Sequence, residues 1–165
     1  MAKLQQKPSI WGQRGTSADK VEVGEVGEFF KQKLAEKGIN FEGNKLTLSW
    51  KTINDHRSGG SGRANIHDEI APFEYSLVPF MFEESAVLGI FQDETRTRFN
   101  GDLYIVASKF DRTFRLTING KKDGSVKISS LLSDENTLKN IHADNKRRIY
   151  MTKEVEKQFK EWDNE

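Results

Sequence analysis

The chain of 165 residues contains no cysteine. That excludes a disulfide framework, a thiolate nucleophile and a cysteine metal site. It fits a reducing, cytoplasmic setting. No apolar stretch approaches the roughly 20 residues that a membrane span needs. The opening residues, MAKLQQKPSIWGQRGTSADK, hold no apolar run of signal-peptide length. The expectation is a soluble chain that makes no use of a membrane. No GxSxG nucleophile elbow is present, and no phosphate loop of the Walker type. Positive charge is also missing from one long stretch: residues 64–95 contain no Lys or Arg.

That last absence matters because the formal net charge is only +1. The cation-free stretch carries Asp68, Glu69, Glu74, Glu83, Glu84, Asp93 and Glu94. From Arg96 the sign reverses, with Arg98, Lys109, Arg112, Arg115, Lys121, Lys122 and Lys127 set against Asp102, Asp111 and Asp123. Two accounts fit. A near-neutral chain can present one basic face to a polyanion, or the two stretches can pair their charges across neighbouring strands.

Residues 1–18 read as a flexible arm with Ile10 and Trp11 as isolated anchors, followed by a single domain over 19–165. Asp19 with Glu22 has capping-box spacing, and Val23, Val26, Phe30 and Leu34 recur at helical intervals up to Gly38. This predicts an amphipathic helix over about 21–37. Leu46, Leu48 and Trp50 alternate with polar residues, which predicts a half-buried strand. Residues 73–82 (FEYSLVPFMF) are strand-like, with Pro79 favouring an edge. Residues 86–91, 103–107, 114–118 and 125–129 read as further strands. Asn119-Gly120 and Asp123-Gly124 are competing hairpin turns. Ser133 can cap a helix through about Ile141, and residues 147–151 read as a last short strand. Thr152 can cap a final helix with Val155, Phe159 and Trp162 on one stripe. The fold class is therefore α+β: an antiparallel meander of about six strands with an N-terminal and a C-terminal amphipathic helix.

The run HRSGGSGRANIH, residues 56–67, gathers His56, Arg57, Arg63 and His67 around glycines. It lacks the Walker lysine and does not open a helix as GxGxxG would. Its composition is that of a mobile connector, in which Arg57 and Arg63 can still close over a nucleic-acid backbone. The two histidines have no metal-site spacing, so no metal and no cofactor are expected. Adjacent acids such as Glu83-Glu84 point to opposite sides of a strand and do not form a catalytic pair.

The strongest functional pattern is RTRFNGDLYIVASKFDRTFR, where cations and aromatics interleave. Single-strand binders follow phosphates with a positive groove and stack bases on aromatic faces. The candidate contacts are Arg96, Arg98, Phe99, Tyr104, Lys109, Phe110, Arg112, Arg115, Lys127, Arg147 and Arg148. Leu116, Ile118, Val126 and Ile128 face the core, which puts Arg115 and Lys127 together on the opposite face. The reading is a non-enzymatic protein that binds single-stranded DNA or RNA on a sheet face, with a homo-oligomer also compatible. The alternative is a protein-interaction module, such as an inhibitor, assembly factor or virion component. It would contact a protein partner through the Trp11 arm and the acidic 64–95 stretch.

Overall fold

The computed structural model describes residues 20–41, 43–49, 52, 72–93, 102–120 and 124–165. The Trp11 arm, the glycine-rich run with Arg57 and Arg63, and Arg96, Arg98 and Phe99 lie outside the described residues.

Alternating apolar residues build seven strands: β1 (Lys20–Glu25), β2 (Lys45–Ser49), β3 (Val87–Gln92), β4 (Leu103–Lys109), β5 (Arg112–Gly120), β6 (Ser125–Ser133) and β7 (Arg147–Met151). Among the described residues three α-helices accompany them: α1 (Gly27–Glu36), α2 (Thr137–Ala143) and α3 (Lys153–Asp163). A 3-10 helix spans Pro72–Phe82. The strands form one mixed sheet in the order β1-β2-β6-β5-β4-β3-β7. The β3-β4-β5-β6 run keeps four strands of the expected six-strand antiparallel meander, and β7 pairs antiparallel to β3. The sheet departs from a pure meander at β2, which pairs parallel to β6. It also gains a strand at β1, antiparallel to β2.

The predicted N-terminal helix is thus corrected over its first half. Val23 satisfies both periods, lying two residues from Val21 and three from Val26, and the sheet claims it. Gly24 then lies against the 3-10 helix, where an added Cβ would come within 2.7 Å of the Pro79 ring. The helix starts only at Gly27 and buries Phe30 and Leu34. Its end is as expected. Gly38 takes φ +79°, its N–H donates to Ala35 C=O at 3.0 Å, and Ile39 N–H donates to Leu34 C=O at 3.0 Å. That is the Schellman pattern, which needs a left-handed residue.

Residues 73–82 are also corrected, from strand to 3-10 helix. Tyr75, Val78, Met81 and Phe82 are all buried there, close to three-residue spacing. The apolar run was real, but its period was not two. Ser133 ends β6 rather than capping a helix, and α2 begins at Thr137. The final helix forms as expected: Thr152 Oγ1 accepts from Val155 N–H at 3.3 Å.

Each face of the sheet carries a packed cluster, and on the second face Tyr104 lies half-buried against it. On one, α1 and the 3-10 helix cover Leu46, Leu48, Ile90, Ile105, Phe114, Leu116 and Ile128. On the other, α2 and α3 bring Ile141, Val155 and Phe159 onto Phe91 and Val106. The Phe159 ring stacks on Phe91 at 5.8 Å. No helix among the described residues is long and apolar enough to cross a membrane.

Candidate nucleic-acid interface

The predicted site residues do not form one continuous stripe. Strand alternation divides them between two faces and two ends of the sheet. On β5, Phe114, Leu116 and Ile118 enter the larger core, and Arg112 lies on that same side. Arg115, Thr117 and Asn119 take the other side.

Arg112 is held inside the fold. Its guanidinium pairs with the buried Glu74 carboxylate of the 3-10 helix at 2.5 Å, and its Nε donates to Ser133 Oγ at 3.2 Å. It also lies 5.3 Å from the Phe114 ring centroid. A buried carboxylate needs such a partner because desolvation of a lone charge is costly. Beside it, burial pushes the Tyr75 phenol up, and the negative charge of Glu74 adds to the shift.

Arg115 has the opposite surroundings. Among the described residues it has no carboxylate partner, and its buried Nε donates to no protein group. Its guanidinium lies 5.7 Å from the centroid of the Tyr104 ring, on the neighbouring strand. Lys146 Nζ lies 5.4 Å from the same centroid. Two cations thus share one aromatic ring, whose electron-rich face attracts them. Burial raises the Tyr104 phenol above its ordinary pKa, with Lys146 opposing the shift. Lys146 also pairs with Asp93 at 3.3 Å, and Asn119 donates to Asp102 at 2.9 Å. Lys127 stands opposite Asn119 in the register, on this same face, as alternation predicts. A bulge at Ser129 intervenes between Lys127 and Arg115. Thr47 of β2 lies opposite Lys127 and extends the polar surface.

Arg147 and Arg148 sit on the edge strand β7. Arg147 donates to Gln92 Oε1 and to the Lys37 carbonyl, both at 3.0 Å. Arg148 lies 4.9 Å from the Phe159 ring centroid and 3.4 Å from Asp163, so it fastens α3. His142 of α2 reaches the same Asp163 oxygen at 2.7 Å.

Lys109 and Phe110 are at the far end of the β4–β5 hairpin. Lys109 pairs with Arg112, leaving Phe110 and Asp111 as a two-residue turn. Both turn residues have positive φ, +50° and +60°, the pattern of a type I′ turn. Such a turn favours Asn or Gly at its first position, and a bulky residue there is strained. Phe110 is 72% exposed. Lys109 Nζ lies 5.5 Å from the Phe80 ring centroid and 5.9 Å from that of Phe110.

Sequence reasoning missed Glu74 as the partner of Arg112, Lys146 as the second cation on Tyr104, and Phe80 as the neighbour of Lys109. The positions of Glu74 and Phe80 became readable only once the 3-10 helix was known. Lys146 was marked by its place beside Arg147 and Arg148. Among the described residues no three His, Asp or Glu side chains gather to hold a metal ion. No protein family, curated protein or solved structure matches the chain.

Proposed function

We propose that this protein binds single-stranded nucleic acid, without catalysis, on the face formed by β4, β5 and β6 around Tyr104. The observation that carries this reading is Arg115. It is a cation with no carboxylate partner among the described residues, held against an aromatic ring that a second cation also approaches. The guanidinium plane and the Tyr104 ring offer stacking surfaces for an unpaired base. Lys127 and Lys146 supply positive charge for the flanking phosphates. Arg112 has no part in this surface, because its charge is committed to Glu74.

The test is a fluorescence anisotropy titration with labelled oligothymidylate and a duplex of equal length, at two salt concentrations. The expected result is tighter binding of the single strand. Its affinity should fall with salt by a log–log slope of about 0.7 for each phosphate contacted. Binding of neither probe at low salt would remove this reading and leave the protein-interaction alternative.

A further inference from the structure

The end of the sheet at the β4–β5 turn differs from the Tyr104 face in both charge and polarity. Phe110 is 72% exposed and Phe80 37%, and they are the exposed large hydrophobic side chains among the described residues. Lys109 Nζ lies near both rings, and several carboxylates stand at the same end of the sheet. Glu83 and Glu84 follow Phe80 in a turn, with Glu83 N–H donating to Phe80 C=O at 3.3 Å and Ala86 C=O accepting from Ser108 N–H at 2.9 Å. Asp111 is the second turn residue. Asp134 is brought close through its N–H, which donates to Thr113 C=O at 3.3 Å, and Glu135 follows it. Glu83, Glu84, Asp111 and Glu135 are exposed. Lys109 lies among them, and Lys153 is at the same end, where Thr152 N–H donates to Leu88 C=O. Arg112 adds no free charge there, since it is neutralised by Glu74.

We infer that this end is a docking surface for a basic, apolar segment of a partner protein, with Phe110 and Phe80 as the apolar anchors and Glu83, Glu84 and Asp111 as the charge-complementary rim. Aromatic side chains at the centre of a polar rim are the usual anatomy of a protein contact. The acidic rim excludes a nucleic-acid backbone, which like charge repels. It equally disfavours the anionic headgroups of a membrane. A segment carrying Lys or Arg beside Leu or an aromatic residue satisfies both features. This inference concerns a different end of the molecule from the nucleic-acid reading and does not depend on it.

The probe is a fluorescein-labelled synthetic peptide of alternating lysine and leucine, with a glutamate-leucine peptide as control. The full chain should bind the lysine peptide and not the control. Phe110→Ser with Phe80→Ser should weaken binding about ten-fold or more, in the range of truncating a central anchor. Glu83→Gln with Glu84→Gln should weaken it several-fold and reduce its salt dependence. Phe110→Asn is the control for folding, because Asn suits the left-handed turn position. It should match or exceed the wild-type melting temperature while still losing peptide affinity. Equal binding of both peptides, or unchanged binding to the double serine variant, would overturn the inference. So would concentration-dependent self-association that Phe110→Ser abolishes, since the occupant would then be a second copy of this chain. Binding of anionic vesicles in place of the peptide would overturn it as well.

Discussion

Arg112 and Arg115 stand three residues apart on the same strand and belong to the same basic stretch, yet they are committed differently. Arg112 enters the side covered by the 3-10 helix and is held by Glu74 and Ser133. Arg115 points to the other side, where its guanidinium lies against the Tyr104 ring and has no carboxylate partner among the described residues. The difference shows how little a count of cations says before their partners are known. Part of the charge separated along the sequence is recombined in space. Glu74 and Asp93, from the cation-free stretch, pair with Arg112 and Lys146. Pairing between the oppositely charged stretches therefore accounts for these two carboxylates.

The comparison can be broken at either arginine. The largest effect is expected on stability, from Arg112→Ala. It removes the cationic partner of the buried Glu74 carboxylate, and losing one partner of a buried pair costs up to about 3–5 kcal/mol. Denaturant unfolding should show that loss, while the salt slope of oligonucleotide binding by the folded variant stays as in the wild type. A smaller effect, on binding, is expected across the sheet. Tyr104→Ala should weaken single-strand binding by about 1–3 kcal/mol with little change in salt slope, as loss of a stacking surface requires. If Arg112→Ala flattened the slope instead, the division between the faces would be wrong.

The smallest effect is on pH dependence, and it concerns the clasp that fastens α3. Hydrogen bonds from His142 and then Arg148 hold the Asp163 carboxyl below its ordinary value of 3.8. A carboxyl depressed in the folded state contributes stability above its unfolded-state pKa. That contribution is lost as pH falls through the folded-state value. Asp163→Asn should therefore make the acid limb of the stability profile shallower, below about pH 4. Near neutral pH, where the wild type keeps that contribution, the variant should be slightly less stable. An unchanged acid limb would show that the clasp does not couple to folding.

Local patterns carried most of the sheet. Leu46 and Leu48, Phe114 through Ile118, and Val126 with Ile128 alternate as half-buried strands must, and the structure buries these apolar positions. The α3 stripe and its Thr152 cap were equally legible, because both signals are contained within a few residues. What escaped was non-local or degenerate. Val23 suits a strand with Val21 or a helix with Val26, and only pairing with β2 decides between them. The parallel β2–β6 contact joins residues about eighty positions apart, and no local period encodes it. The Arg112–Glu74 pair spans a separation of 38. The site was legible in the same measure. Alternation placed Arg115 with Lys127, but it could not reveal that Lys146 would join Tyr104 or that the Phe110 turn would stand at the opposite end from Tyr104.

The most direct test of the nucleic-acid reading is the salt dependence of oligothymidylate binding by the wild type and by Lys127→Ala with Lys146→Ala. Counterion release predicts that losing two phosphate contacts lowers the magnitude of the log–log slope by about 1.4, at about 0.7 per contact on a single strand. A slope equal to that of the wild type, with affinity unchanged, would contradict the assignment of the Tyr104 face as the binding surface.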